Sequence, residues 1–215
     1  MIINGYVGPT ATKTSLGSGT NPALRLGNMG DAVVSELEPR YYEATYRGMA
    51  FSGANQALVG TAIATGLTAT YTGGLVLSNT FGNPVNVVLT KVAYGAALVQ
   101  TNASVIGLMV GQSSTALAGT VTSVTPTSDL VGSGIAPYAV LASSASITLP
   151  TTPVLKRVLG FLGTGAVTVD QTTLTVVDLE GSIILPPGGY CAFYSSAAGT
   201  ASSLIFSMSW IEVPL

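Results

Sequence analysis

The sequence predicts an all-β fold, an antiparallel sandwich of about eight strands that follows an N-terminal arm with one or two short helices. Short apolar runs alternate with polar residues at a period of two, and turn residues recur between the runs. No helical period lasts longer than two turns. Charge also divides the chain, because seven of its sixteen charged side chains lie between residues 25 and 47. We therefore predict an arm over residues 1–55 and a sandwich body over residues 56–215.

The arm begins with the turn-forming sequence GPTATKTSLGSGTNP, which has no periodic apolar face. A short helix is predicted to begin at Asp31, its N-cap, and to end before Pro39. A second helical stretch is predicted from Arg40 to Arg47, where Glu43 lies four residues before Arg47 and can form a surface ion pair. Helices this short are marginal in water, so the arm must pack either on its own body or on a neighbouring molecule.

The clearest strand of the body is LIFSMSWIEV, residues 204–213. Its leucine, first phenylalanine, methionine and tryptophan share one face, and its serines lie on the other. Further strands are predicted at residues 75–78, 85–94, 104–110, 138–149, 154–161, 167–177, 182–185 and 190–194. The sequence PPGG at residues 186–189 has the proline and glycine of a type II turn, and NTFGNP at residues 79–84 is another turn signal. Strands at this spacing favour a jelly-roll sandwich over a βαβ sheet.

The residue types exclude several kinds of chemistry. The chain has no histidine, which excludes every mechanism or metal site that needs an imidazole. The single Cys191 cannot form an internal disulfide and is predicted to be a small buried residue within a strand. The adjacent pair Lys156 and Arg157 is too small to track a nucleic-acid backbone. No apolar run approaches the ~20 residues of a membrane span. We expect no cofactor, metal, nucleic-acid, membrane or small-molecule ligand.

Three acidic residues could support an enzyme. Asp170, Asp178 and Glu180 lie close together in sequence, and a glycosidase needs two facing carboxylates. The alternative is that they lie at strand ends or in turns, on the solvated side. Because the sequence supplies no aromatic platform or polar network around them, we predict the second arrangement. The protein is therefore predicted not to be an enzyme.

The surface must be polar without being charged. Charged residues make up 7 % of the chain, where an ordinary domain has about 25 %. The 27 Thr and 21 Ser residues must therefore supply much of the polar surface. Such a surface costs little to desolvate, so we predict extensive contact with copies of this chain, as a trimer or dimer, or with a scaffold. The alternative is a monomer with a hydroxyl-rich surface.

Three motifs resemble a family of virion proteins from tailed phages. They are the tyrosine-rich RYYEATYRGMAFSG at residues 40–53, the strand pair in LVLSNTFGNPVNVVLTKV at residues 75–92, and the hairpin VDLEGSIILPPGGY at residues 177–190, which closes on WIEVP at residues 210–214. The resemblance extends over residues 28–215. It implies a TNF-like jelly roll that is placed in the virion after assembly in the host cytoplasm, either as a capsid decoration (cement) protein or at the end of a fibre.

With this resemblance, we predict a decoration protein that binds the major capsid protein, or another virion protein, through its arm. The predicted anchor consists of four aromatic residues and three charged residues that set the register: Tyr41, Tyr42, Tyr46, Phe51, Arg40, Glu43 and Arg47. Tyrosine suits a contact because it combines a large ring with a polar tip. The alternative for these rings is packing against their own sandwich. A fibre or spike head that binds a host-surface glycan through the loop at residues 113–137 is the second function that stays open.

Overall fold

The computed structural model describes residues 5–6, 24–25, 39–55, 63, 66–71, 73–96, 100, 102–120, 124–143, 146–163, 174–197 and 204–215. The chain divides into two compact units, Met1–Tyr42 and Glu43–Leu215. The helix α1 spans Tyr42–Tyr46. No helix in the described part of the chain has the length and hydropathy to cross a membrane. The helix predicted to begin at Asp31 lies outside the described residues.

The described strands form four sheets. In chain order they are β1 (Gly5–Tyr6), β2 (Leu24–Arg25), β3 (Ala50–Ala54), β4 (Thr70–Tyr71), β5 (Val76–Ser78), β6 (Val85–Ala96), β7 (Ser104–Gln112), β8 (Ala118–Thr120), β9 (Thr127–Ser128), β10 (Val140–Ala142), β11 (Ser146–Thr148), β12 (Val154–Leu162), β13 (Thr175–Leu185), β14 (Gly189–Ser195) and β15 (Leu204–Pro214). In the first unit, β1 and β2 pair in parallel. In the second, sheet I has the order β13-β6-β15-β3-β9, sheet II the order β10-β5-β14-β7-β12, and a small sheet the order β4-β11-β8.

Sheets I and II form an antiparallel sandwich with jelly-roll connectivity. Leaving aside the short edge strands β9 and β10, the chain passes from β3 in sheet I to β5 in sheet II, to β6 in sheet I, and back to β7 and β12 in sheet II. It then alternates again through β13, β14 and β15. These eight strands therefore cross repeatedly between the two sheets, as in a double-sheet jelly roll. The predicted all-β antiparallel sandwich is confirmed.

The core lies between the inward faces of the two sheets. The rings of Phe193 in β14 and Phe206 in β15 join the sheets, with centroids 4.3 Å apart. Along β15, Leu204, Phe206, Met208 and Trp210 are buried, whereas the serines between them are partly exposed. This is the alternation predicted for residues 204–213, and it is confirmed.

The turns between successive strands carry the chain across the sandwich. At residues 186–189 the Gly189 N–H donates to the Pro186 carbonyl at 2.7 Å, and Gly188 has a φ of 85°. The type II turn predicted here is confirmed. However, β13 and β14 lie in different sheets, so the predicted hairpin is wrong. The predicted strand pair at residues 75–92 is wrong for the same reason, because β5 and β6 also lie in different sheets.

Three further segments concern the bounds of the predicted strands and of the arm. Residues 138–149 were predicted as one strand, but they form β10 in sheet II and β11 in the small sheet. Of the strand predicted at residues 167–177, only the part from Leu174 lies within the described residues, where β13 begins at Thr175. Residues 50–54, which the sequence analysis assigned to the arm, form β3 and pair with β15 in sheet I. The sequence AFSGA has small residues and weak alternation, so its pattern did not indicate a strand.

Candidate functional site

The predicted anchor residues centre on α1. The helical stretch predicted from Arg40 to Arg47 is confirmed over Tyr42–Tyr46. The Arg47 Nε donates to Glu43 Oε1 at 2.6 Å, as predicted, and the two side chains are 66 % and 61 % exposed. An exposed pair with this spacing contributes only about 0.3–0.5 kcal/mol. Its contribution to the fold is therefore small, and both charged groups lie on the surface.

The tyrosines of this segment differ in their surroundings. Tyr42 is 46 % exposed and Tyr46 is 66 % exposed. The Arg40 guanidinium lies 5.4 Å from the centroid of the Tyr41 ring, within the range of a cation–π contact. Tyr42 and Tyr46 thus leave aromatic surface available for a further contact.

Phe51 lies in the core. Its side chain is 2 % exposed, and its ring stacks on Trp210 with centroids 6.1 Å apart. The two residues are direct register partners in β3 and β15. A ring in this position contributes to the sandwich and offers no surface to a partner, so the exposed part of the predicted anchor is limited to the segment around α1.

Two of the three predicted acidic residues, Asp178 and Glu180, lie at a bulge in β13. The register with β6 shifts between Asp178 and Ile183, and Glu180 and Gly181 have φ values of 50° and 76°. The Glu180 N–H donates to Asp178 Oδ1 at 3.0 Å, and both side chains are exposed. This is the solvated position that the sequence analysis favoured for them. Asp170 lies outside the described residues. Among the described residues, no cluster of three or more His, Cys, Asp or Glu is arranged to hold a metal ion.

Two buried groups that could act as nucleophiles are held neutral. Cys191 is fully buried in β14, as predicted, and burial raises the pKa of its thiol to about 12. Burial also raises the pKa of Tyr71 well above its usual value, with a further increase from the nearby Cys191. The Tyr71 hydroxyl donates to the Phe193 carbonyl at 2.8 Å. Because nucleophilic attack needs the thiolate, Cys191 is unreactive at neutral pH.

The outer face of sheet I, which we define as the side chains of β13, β6 and β15 that point away from the core, was not predicted from the sequence. The strand register places these side chains in four rows across the sheet. From β13 through β6 to β15, the rows are Leu174–Gly95–Ile205, Val176–Ala93–Ser207, Asp178–Lys91–Ser209 and Ile184–Val88–Ile211. The third row alone carries charged groups.

The outer face of sheet I is unusually apolar for a solvated sheet. Leu174, Val176 and Ile184 are 72 %, 59 % and 55 % exposed. An antiparallel sheet with one solvated face normally places polar residues there. In sheet II, β5 is buried at every position and β14 at all but one, whereas the edge strand β12 also exposes Val154, Val158 and Phe161. The sequence does carry a signal for this face: adjacent apolar residues in β13, such as Ile183 and Ile184, must point to opposite sides of a strand.

The loop predicted to bind a glycan contains a surface pocket. Residues 125–128 and 130–136 line a cavity of about 500 Å³, and its apolar wall includes Pro126, Leu130, Val131 and Ile135. Val131 is 94 % exposed. None of the lining residues has an aromatic ring on which a sugar could stack.

Comparison with known proteins gives little guidance. No protein-family model matches the chain, and no curated protein matches it. Among solved structures, the chain is similar to a chain of the full particle of Israeli acute paralysis virus heated to 63 degrees. The identity is 11 %, the TM-score is 0.22, and the match covers 95 % of this chain and 81 % of that chain. A TM-score this low does not establish a common fold. The resemblance to virion proteins of tailed phages stays a prediction.

Proposed function

We propose that this protein is a structural component of a tailed-phage virion, and that it decorates the capsid. It associates with copies of itself and binds the lattice of the major capsid protein. The observation that carries the proposal is the outer face of sheet I, which exposes Leu174, Val176 and Ile184 where a solvated sheet would have polar side chains. An apolar surface of this kind is typical of a protein that functions in an assembly.

The segment around α1 supplies the contact with the capsid in this proposal. Tyr42 and Tyr46 are exposed aromatic residues, and the Glu43–Arg47 pair can fix their orientation relative to a partner. Tyrosine is enriched among the residues that contribute most to protein–protein binding. The protein acts without catalysis: it adds non-covalent contacts across capsomer boundaries, and these contacts resist the pressure of the packaged DNA.

The proposal is tested with particles that lack this protein. Purified protein is added back, its occupancy on the capsid is measured, and DNA release is followed on heating. We expect release at a lower temperature without the protein and recovery when it is added. Unchanged thermal release, or density confined to the tail vertex in images of the virion, would contradict capsid decoration.

A tyrosine substitution tests the anchor. We expect Tyr46→Ala to weaken capsid binding about tenfold or more, since an aromatic contact at the centre of an interface contributes about 2 kcal/mol. Phe161→Ala is the matched control, because Phe161 is 64 % exposed and lies on β12, an edge strand of the other sheet from β3, which follows α1. Equal occupancy of both variants would exclude Tyr46 from the contact.

A fibre or spike head that binds a host-surface glycan is the second candidate. The pocket at residues 125–136 favours it, because it is concave and lies within the predicted recognition loop. Its lining lacks aromatic rings, which makes it the weaker candidate. If purified protein blocks phage adsorption to host cells and Val131→Asp abolishes this block, the second function replaces the first.

A further inference from the structure

We infer that the cleft between the edge strands β12 and β13 binds a medium-chain fatty carboxylate. The cleft has a volume of about 540 Å³, which is within the range of ligand pockets in proteins. One wall belongs to sheet II and includes Val110, Gln112, Val154 and Lys156, and the other consists of residues 182–186 at the end of β13 in sheet I. This site goes beyond the proposed function and does not depend on it. It also departs from the expectation of no small-molecule ligand that the composition suggested.

The cleft exists because the sandwich is open at this point along β12. Val154 is the register partner of Val110, which packs against the core, so both side chains point to the inside of the sandwich. Val154 is nevertheless 66 % exposed. Further along β12 the sandwich is closed, because a Cβ on Gly160 would clash with the Tyr94 hydroxyl of sheet I. An inward-facing apolar surface therefore stays accessible at the Val154 end of the strand.

Lys156 gives the cleft a positive charge, and no other lining residue is charged. The register with β7 shifts between Leu155 and Arg157, so Lys156 is the extra residue of a bulge. A bulge changes the direction of a side chain, and here Lys156 lines the cleft whereas Arg157 does not. Within the described part of the chain, no carboxylate pairs with the Lys156 ammonium. An anionic group on a ligand would supply that partner.

The register of the strands gives the length and direction of a bound chain. Gln112 is the register partner of Gly189, whose N–H donates to the Pro186 carbonyl, so these three residues mark one end of the cleft. Val154 lies opposite Val110, and Lys156 lies beyond it at the other end. The strand rise makes the distance between the two ends about 12 Å, which is about the length of an extended carboxylate of ten carbons. A carboxylate at Lys156 therefore directs its tail towards the turn at residues 186–189.

The walls suit a flexible apolar chain better than a peptide strand or a sugar. The free edge of β13 in the cleft extends only from Ser182 to Leu185, between the bulge at Gly181 and Pro186. A bulge and a proline at an edge hinder the addition of a further strand. The lining residues include no aromatic ring on which a sugar could stack. The inward-facing side chains of Ile183 and Leu185 instead offer aliphatic contacts, and each methylene buried there favours binding.

The test is a calorimetric titration of the full-length protein with decanoate. We expect one molecule to bind per chain, with a dissociation constant below about 1 mM. Hexanoate should bind at least about tenfold more weakly, because its shorter chain buries fewer methylenes. Decyltrimethylammonium has a tail of the same length with a cationic head, and it should bind at least about fivefold more weakly, because its head would face the Lys156 ammonium.

Two matched pairs of variants locate the site. Lys156→Gln and Arg157→Gln remove the same charge from neighbouring residues, but only Lys156 lines the cleft. We expect Lys156→Gln to raise the dissociation constant of decanoate about fivefold and Arg157→Gln to change it by less than about twofold. Val154→Glu and Val158→Glu place a carboxylate at positions that are 66 % and 57 % exposed, and of these only Val154 lines the cleft. Val154→Glu should weaken binding at least about tenfold, and Val158→Glu should bind as the wild type does.

Thermal unfolding of each variant shows that the sandwich is intact. Three results would each overturn the inference. The first is no detectable binding of about 1 mM decanoate to the folded wild type. The second is equal binding of decanoate and decyltrimethylammonium. The third is a folded Lys156→Gln variant that binds decanoate as tightly as Arg157→Gln does.

Discussion

Asn79 follows β5 and binds, through its side chain, the first residue of β6 and the last residue of β13. Its substitution tests how the sandwich is held together at the end where the chain crosses from one sheet to the other. The residue is fully buried, and its Nδ2 donates to the carbonyls of Val85 at 2.8 Å and Leu185 at 2.9 Å. After Leu185 the chain continues with Pro186 and Pro187, which have no N–H to offer. The side chain of Asn79 therefore supplies donors where the β13 ladder can no longer do so.

The cost of removing this amide follows from the two carbonyls. In Asn79→Ala both lose their donor in a site closed to water, and each unsatisfied group costs about 1–3 kcal/mol. We expect a loss of about 2–6 kcal/mol in the free energy of unfolding, out of the 5–15 kcal/mol of a typical domain. For a chain of this length the melting temperature should fall by roughly 5–20 °C. Urea denaturation, followed by the fluorescence of the buried Trp210, measures the change.

Two further variants separate hydrogen bonding from shape. Asn79→Asp keeps the shape, but an ionised carboxylate has no donor and faces two carbonyl oxygens. We expect it to be less stable than Asn79→Ala at pH 7 and to recover in part at low pH, where the protonated acid can donate one bond. Asn86→Ala, at a partly exposed position of β6, should change stability by less than about 0.5 kcal/mol. A melting temperature of Asn79→Ala within about 2 °C of the wild type would refute the reasoning.

Three other substitutions test the buried framework. The thiol of Cys191 ionises near pH 9.0 in the unfolded chain and near pH 12 in the folded one. Burial of the neutral thiol therefore contributes fully to the free energy of unfolding below pH 9.0. This contribution is lost as the pH rises towards 12, by up to about 1.4 kcal/mol per pH unit. The stability of Cys191→Ala should fall less steeply over this range, and the native thiol should not react with a disulfide reagent at pH 8. Glu212 accepts two hydrogen bonds from backbone N–H groups, at 2.9 and 3.0 Å, in a buried site. We expect Glu212→Ala to lower the free energy of unfolding, measured by urea denaturation, by about 2–4 kcal/mol, and Glu212→Gln to lower it less. Gly188→Ala should lower the free energy of unfolding by more than about 1 kcal/mol in the same assay, because φ at Gly188 is 85° and a Cβ would lie 2.3 Å from the Ser113 carbonyl oxygen. Unchanged stability of a variant at any of these three positions would contradict the role given to that residue.

The parts of the fold that depend on local sequence could be predicted. The burial alternation of β15 extends over ten residues, and the turn at 186–189 depends only on proline followed by glycine. The Glu43–Arg47 pair depends only on helical spacing. The pairing of strands could not be derived in this way. A tight turn between β13 and β14 suggests a hairpin, but β14 pairs with β5 and β7, and those distant strands decide that the chain crosses the sandwich.

The candidate site shows the same division. Phe51 lies in a tyrosine-rich segment, and its burial depends on register with Trp210, which is 159 residues further along the chain. The outer face of sheet I is assembled from three strands that lie far apart in sequence, so each strand alone shows only a few extra apolar residues. The low charge of the whole chain indicated that some surface is covered in an assembly. It did not indicate which surface, because that depends on the order of strands in the sheet.

The few charged residues of the body explain why one face in particular is suited to assembly. Lys156 and Arg157 lie on the edge strand β12, Glu180 lies at the bulge of β13, and Glu212 is buried with backbone donors. These positions protect two edge strands and fix a loop, and among the described residues Lys91 and Asp178 are the charged side chains in the four rows of the outer face of sheet I. A protein with more surface charge could have placed some of it on that face and remained a monomer. With so few charged groups, the edge strands β12 and β13 still carry the charges and the bulge that hinder the addition of a further strand, while the outer face of sheet I stays inexpensive to desolvate.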